Sequence, residues 1–462
     1  MGTISRRTVL TAAASTAALG AVAACSSDGG RGGSSNTGLR PTGGSSSAGG
    51  GVRGGTLGSR QPARPIGDGS TADTGPQPGQ PKPERLAPGQ RPPQFVVFSW
   101  DGAGELDNRL FERFRGLARR HHAAMTFFLS GIYTLPESKK HLYHPPRHPV
   151  GASAIGYLSD EHIRATLQQV RLAWLEGHEI GTHFNGHFCG ADGVGRWSPA
   201  DWDSEIRQAK AFVTEWRTNT GFTDLEPLPF DYEKELTGGR TPCLEGQRNL
   251  LPTAARLGWT YDASSPGGMQ MWPGKVQGGR IWDFPLQSIP FPGHAYQVLS
   301  MDYNIMANQS GGNPKGDPAR RAAWRTQARD AYLAGFRRAY DSNRAPFFIG
   351  NHFEQWNGGI YMDAVEEALT EIAGHPEVRM VSFRQLVQWL EAQDPSVLRK
   401  LRTLNPGQKP AGGWESFLGV ASPSSASGSP SPSGPSAAPG SASPSRSLQP
   451  SASRSASAPA GG

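Results

Sequence analysis

Gln94-Phe95-Val96-Val97-Phe98-Ser99-Trp100-Asp101-Gly102 is an apolar run that ends on an acid and a glycine. Aromatic and β-branched residues in an unbroken run fit a strand buried on both faces, as in a parallel sheet. The acid would then stand at its carboxyl end. Two later stretches share this grammar: His178–Thr182 runs into His183-Phe184-Asn185-Gly186-His187, and Phe347–Gly350 runs into Asn351-His352. One carboxylate and two imidazoles form the N/O ligand set of a hydrolytic metal site with a position left open. Asp101, His183 and His187 are therefore the candidate ligands of a divalent metal, zinc first. Trp100, bulky and apolar beside the acid, is the discordant residue.

Working outward, strands and helices alternate. Asp107–His121 carries Leu110, Phe114 and Leu117 at helical spacing, and Ala124–Leu129 reads as the next strand. A helix over Ser159–Glu176 leads into His178–Thr182. Ser198-Pro199-Ala200-Asp201 is a helix start, with a serine cap, proline in the first turn and an acid three positions on. Further strands are expected at Trp259–Ala263, Arg280–Leu286, Phe347–Gly350 and Val378–Ser382. Helices are expected at Ala319–Tyr340, Asp363–Ala373 and Arg384–Glu391. Repeated βα units imply an α/β fold with a helix-covered parallel sheet, and a closed barrel puts functional residues on the loops after its strands. Asp101, His183, His187 and His352 all fall there.

The 462 residues are not all of this kind. Ser5-Arg6-Arg7-Thr8-Val9-Leu10 is a twin-arginine pattern, and Val22-Ala23-Ala24-Cys25 resembles a lipobox. Residues 1–25 are thus expected to be an export signal, with Cys25 lipidated on the outer face of the membrane or an ordinary cleavage releasing the protein. Residues 26–93 and 421–462 are Gly/Ser/Pro-rich and Ser/Pro/Ala-rich, too poor in apolar side chains to offset ordering entropy, and are expected to be disordered. That leaves a domain over 94–394 and an extension over 395–420. The net charge of +7 is scattered over helices without a basic stripe, which argues against a nucleic-acid partner. Cys189 and Cys243 are either a disulfide tying two loops of the site or two separate thiols.

Phe98-Ser99-Trp100-Asp101-Gly102, Gly177-His178-Glu179-Ile180-Gly181-Thr182-His183, Arg240-Thr241-Pro242 and the strand ending at His352 resemble, in order, the motifs of the polysaccharide deacetylases, carbohydrate esterase family four. Thr126-Phe127-Phe128-Leu129, Tyr261-Asp262-Ala263-Ser264 and Asn343-Arg344-Ala345-Pro346 point toward the chitin-deacetylase-like branch. The resemblance implies a distorted (β/α) barrel and an exported monomer that removes acetyl groups from a glycan such as chitin, peptidoglycan or acetylated xylan. It gives Asp101, His183 and His187 the metal, His352 the role of general acid, and Arg240 the task of orienting the base. Asp262 lies in the region whose acid tunes the histidine, and Trp197, Trp282 and Trp356 are candidates for a sugar groove. A zinc-protease reading of His-x-x-x-His fails because Phe184, not glutamate, follows the first histidine.

The family has two adjacent aspartates before the glycine, the first a base and the second a ligand. Aligning Asp101 with the second puts Trp100 at the base, and indole accepts no proton. Without that base the metal alone still supports a weakened hydrolysis, and Glu105, Asp107, Glu245 and Glu354 are candidate substitutes, Glu105 first. Shifting the register makes Asp101 the base but leaves the metal two histidines. A second reading is a glycan-binding pseudoenzyme.

Overall fold

The run Gln94–Asp101 forms a strand in which every residue is buried. The computed structural model describes residues 63–190 and 192–419. The expected signal with Cys25, the linker as far as residue 62 and the 421–462 tail lie outside the described residues. In chain order the strands are β1 (Arg64–Ile66), β2 (Thr71–Asp73), β3 (Gln94–Asp101), β4 (Thr126–Leu129), β5 (Glu179–Thr182), β6 (Tyr261–Asp262), β7 (Lys275–Val276), β8 (Ile281–Asp283), β9 (Ser288–Pro290), β10 (Gln297–Leu299), β11 (Phe347–His352) and β12 (Val378–Met380). The first long helices are α1 (Leu110–Arg120), α2 (Asp160–Leu175) and α3 (Pro199–Thr214). Later ones span Arg321–Tyr340, Trp356–Ala373 and Phe383–Ala392.

The helices begin where local chemistry starts them. Ser159 caps α2 by accepting from the His162 amide, and Ser198 and Asp201 close a reciprocal capping box on α3 behind Pro199. Leu110, Phe114 and Leu117 of α1 are buried as one stripe. Side chains of β3 then alternate. Val96, Phe98 and Trp100 pack outward under α1 and α2, while Phe95 and Val97 join an inner cluster with Phe128, Tyr261, Phe284, Phe348 and Phe383.

A five-stranded parallel sheet runs β11-β3-β4-β5, with β12 on the first half of β3. The expected closed barrel is not one continuous sheet. β6, β8 and β7 form a separate three-stranded sheet, and β1–β2 and β9–β10 are antiparallel pairs. Backbone hydrogen bonds beyond the paired strands link neighbouring segments: Arg240 N–H to the Thr182 carbonyl (3.0 Å), Ala263 N–H to Gly239 (3.0 Å), Phe284 N–H to Asp262 (2.9 Å), Ser300 N–H to Gln287 (2.8 Å) and Gly350 N–H to Ser300 (2.9 Å). Glycine and proline interrupt regular ladders in these segments. At Gly239 a Cβ would sit 2.6 Å from the Thr182 carbonyl, so the approach requires glycine.

Two boundaries move. Residues 63–93, expected within the linker, are ordered from β1 onward. Ala72 N–H donates to the Leu228 carbonyl (2.8 Å), and Gln77 Nε2 donates to the carbonyls of Trp174 (2.8 Å) and His178 (2.6 Å). Side-chain amides fasten this segment, so its low apolar content misleads. Beyond residue 394, Leu398, Leu401 and Leu418 join the inner cluster. No helix among the described residues is long and apolar enough to cross a membrane.

Candidate active site

Asp101 and His352 are register partners at the carboxyl ends of β3 and β11. His183 follows β5 directly, two strands from β3. Parallel strands bring these ends to one side of the sheet, so the residue chemistry converges without a special loop.

Arg240 is fully buried and organises one half of the site. Its Nη1 donates to Asp101 Oδ1 and to Ser99 Oγ, both at 2.8 Å, and its Nε donates to the Ala263 carbonyl at 2.9 Å. Burial works to raise the Asp101 carboxyl, but Arg240, then His183 and His352, hold it below the ordinary range. Among the described residues no donor reaches Asp101 Oδ2.

The Arg240 carbonyl accepts from His183 Nδ1 at 2.8 Å. A carbonyl can only accept, so Nδ1 carries the proton and Nε2 presents a lone pair. That Nε2 is buried and without a partner. The His187 ring lies 5.0 Å from the His183 ring, centroid to centroid. Burial first, then charge on His183 and His352, pushes His187 down to about 3, which keeps its imidazole neutral. A buried bare Nε2 whose ring is fixed by a carbonyl is the state of an imidazole ready for a metal. The donors fit a divalent ion that prefers nitrogen.

His352 is set up for the opposite protonation state. Its Nδ1 donates to Asp302 Oδ1 at 2.8 Å, while its backbone N–H donates to Oδ2 at 2.7 Å. Burial alone would lower this histidine, yet Asp302, with Asp101 and Glu354 behind it, raises it to about 9. Asp302 is completely buried. Trp356 lies 5.3 Å from the His352 ring and meets Tyr303 edge-on at 5.8 Å.

Several expected residues stand elsewhere. Trp100 does not face the site: it packs 4.7 Å over Phe353 and 4.1 Å from Phe114, and its Nε1 points at Met125 Sδ (3.4 Å). The side chains that share the Asp101 face are those of alternating residues, and the carboxylate that Arg240 grips is Asp101 itself. Glu105, the preferred substitute base, is turned to α1, where its two oxygens accept from the Phe111 (3.2 Å) and Glu112 (2.9 Å) amides. Its oxygens complete a helix start. Asp107 pairs with His162 at the surface, and Glu245 accepts from the Gly190 amide. Of the four substitutes, Glu354 has its charge coupled to His352.

Asp262 accepts from Ser264 Oγ (2.7 Å) and N–H (3.2 Å) and is not the partner of His352. The partner is Asp302, which the sequence reading missed. Val298-Leu299-Ser300-Met301-Asp302 carries the same signal as β3, an apolar run stopping on an acid. Trp197 and Trp282 are buried core residues, which leaves Trp356 at the rim. Cys189 and Cys243 are joined, with Cα atoms 5.9 Å apart, and link the loop after His187 to the loop after Arg240. The nearness of His187 to the two sulfurs follows from that bond, and bonded sulfurs are not thiolate ligands.

No protein-family model matches this chain, and no curated protein matches it. Solved structures match over part of it. A structure described as a polysaccharide deacetylase from Mycobacterium smegmatis is 15% identical, with 67% of this chain and 95% of that chain covered and a TM-score of 0.40. A family 4 acetyl xylan esterase from Clostridium thermocellum, in complex with a cobalt ion, is 15% identical, covering 66% and 96%, with a TM-score of 0.34. A mutant of a CE4 family pseudoenzyme with restored enzymatic activity is 10% identical, covering 66% and 72%, with a TM-score of 0.34. These are polysaccharide deacetylases and family 4 carbohydrate esterases. The motifs resemble the same family.

Proposed function

We propose that the chain is a metal-assisted hydrolase of the polysaccharide deacetylase family, removing acetyl groups from an N- or O-acetylated glycan. One observation carries the reading. A buried Arg240 holds the Asp101 carboxylate beside an imidazole with a bare buried nitrogen, and a carboxylate-supported histidine stands across from it in register. Asp101 then takes the role of base, which the register shift assigns to it. Arg240 keeps it ionised, and Oδ2 is the oxygen without a donor. His352, held protonated by Asp302, delivers a proton to the departing amine or alcohol as the tetrahedral adduct collapses.

His183, with its bare buried Nε2, and His187 would hold the ion. When bound, a divalent ion such as zinc supplies Lewis-acid polarisation of the acyl carbonyl and lowers the pKa of a water. The continuous path of backbone contacts from β5 through Gly239, β6 and Ser300 to β11 supports the distorted barrel. Trp356 and Tyr303 beside His352 offer apolar ring faces suited to a pyranose. Export rests on the twin-arginine pattern and the Cys189–Cys243 bond, and membrane attachment on Cys25.

A binding-only protein is the second reading. Trp100 no longer supports it, because that side chain faces the helices. Its support is now that Asp101, committed to Arg240, leaves two imidazoles as the uncommitted donors. Acetate release from chitooligosaccharide, peptidoglycan and acetylated xylan, measured with added zinc or cobalt on the full chain, decides between them. Release abolished by Asp101→Asn and by His352→Ala supports the hydrolase. No release from any glycan under saturating ion overturns it.

A further inference from the structure

The segment His183-Phe184-Asn185-Gly186-His187 cannot hold its shape through its own backbone. Phe184 and His187 both have left-handed φ, 60° and 55°, although neither is glycine. Each such residue costs about 1–2 kcal/mol, so something outside the segment must fix it. Gly131 N–H donates to the Phe184 carbonyl (2.7 Å), and Ala154 N–H donates to the Gly186 carbonyl (2.7 Å). Phe184 N–H donates to Thr182 Oγ1 (2.9 Å), and a further grip comes from a buried acid on α3.

Glu205 is fully buried, and its carboxylate touches two things. Asn185 N–H donates to its Oε1 at 3.1 Å, and Tyr143 Oη donates to the same oxygen at 3.0 Å. Tyr143 Oη in turn accepts from Gly186 N–H at 2.9 Å. The Glu205 backbone carbonyl accepts from Asn185 Nδ2 at 3.0 Å. One side chain thus holds two consecutive amides midway between the histidines, one directly and one through a phenol. Phe184 closes the other side against Trp202, ring centroids 4.7 Å apart. A buried carboxylate is costly, and an isosteric apolar side chain would fill this space more cheaply if packing were its purpose.

We propose that Glu205, acting with Tyr143, is a positioning residue that fixes the 183–187 loop so that both imidazoles address one divalent ion. The inference rests on the metal reading above and deepens it by naming what presets the two donors. Partners that orient histidine ligands commonly tune metal affinity by about 10–100-fold, and the same scale is expected here.

The test is calorimetric titration of the full chain with zinc or cobalt ion, beside thermal unfolding of the ion-free protein. Glu205→Gln keeps size and one acceptor but sets an NH2 among groups that donate. It is expected to weaken ion binding by about 10–100-fold, and Tyr143→Phe by about 3–10-fold. A merely structural role would lower the melting temperature and leave the affinity within twofold, which overturns the proposal. If Glu205→Gln does not fold, Tyr143→Phe decides alone, and unchanged affinity there is equally fatal. Imidazole 15N spectra of the ion-free protein separate this proposal from the reading beneath it. A wild type that takes up no ion removes the metal reading. In that case shifted or broadened His183 and His187 signals in Glu205→Gln, with His352 unmoved, still support the positioning role, and unmoved signals refute it.

Discussion

Trp100 and Asp101 are neighbours in β3, yet the two faces of that strand are built on opposite principles. The outward face, Val96, Phe98 and Trp100, is dry and lies against aromatic side chains such as Phe114 and Phe353. The inward face begins with Phe95 and Val97 but ends in Ser99 and Asp101, both bonded to one guanidinium. Side chains alternate along a strand, so one step along the chain crosses from core to site. The size and hydrophobicity of Trp100 therefore report on the helices above it. The indole and the aspartate beside it therefore answer to different surroundings.

The largest effect should come from the inward face. Asp101→Asn removes the acceptor of a proton and unpairs a buried Arg240. General-base loss typically costs about 10²–10⁴-fold in rate, and breaking a buried ion pair about 3–5 kcal/mol in stability. The expected result is acetate release down by that factor together with a lowered urea midpoint. A variant that keeps the wild-type rate would remove Asp101 from the chemistry.

The same change of charge on the outward face should act on folding alone. Trp100→Asp puts an unpaired carboxylate between Phe114 and Phe353 and leaves a cavity, at a cost of about 4 kcal/mol or more. Trp100→Phe should cost about half as much, without change in the rate per folded molecule. Chemical denaturation and an active-site titration check both. Higher activity in Trp100→Asp would mean that this side chain does face the site, and the contrast between the faces would collapse.

The contrast also explains which parts of the site could be read from sequence. Strand ends carrying an acid or a histidine were legible, because a run such as Phe347–His352 announces both its burial and its polar stop. Asp101, His183 and His352 are read this way, whereas Arg240 comes from the motif resemblance alone. Alternation within the last two residues of β3 follows from the period of two, whereas the motif resemblance aligns the base with position 100. Asp302 was hidden for another reason. The strand before it, Gln297–Leu299, is three residues long and Ser300 breaks the apolar run, so the signal is a shorter version of the one at Phe347–His352. Glu205 was invisible because its meaning is wholly tertiary: on α3 it reads as one more acid on a helix.

Asp302→Asn tests the site through His352, the register partner of Asp101 on β11. Asp302 raises His352 to about 9, so removing its charge should let that pKa fall toward the ordinary 6.5. A general acid must be protonated to act. The alkaline limb of the pH–rate profile should therefore move to lower pH by more than one unit, with a rate loss of about 10–100-fold above neutrality and less in acid. An alkaline limb that stays in place would show that His352 is not the group being titrated.

The smallest expected effect sharpens the comparison at its edge. Gly102 is the first residue past β3, with φ 63°, and a Cβ there would meet Ser130 Oγ and the Tyr133 ring at 3.8 Å, ordinary contact distances. Space exists for a side chain, and aspartate tolerates left-handed backbone better than most residues. Gly102→Asp would place a second carboxylate directly after Asp101, the paired arrangement that the family resemblance describes. If Asp101 is the base and the two histidines lack a third protein donor, this variant should bind zinc or cobalt about tenfold more tightly, a gain of about 1.4 kcal/mol. The strain should cost about 1–2 kcal/mol of stability in the ion-free state. Titration calorimetry with ion-free melting reads both terms. Unchanged or weaker ion binding would mean that Asp101 already fills the third position through Oδ2, and the roles of base and ligand would then meet in one carboxylate.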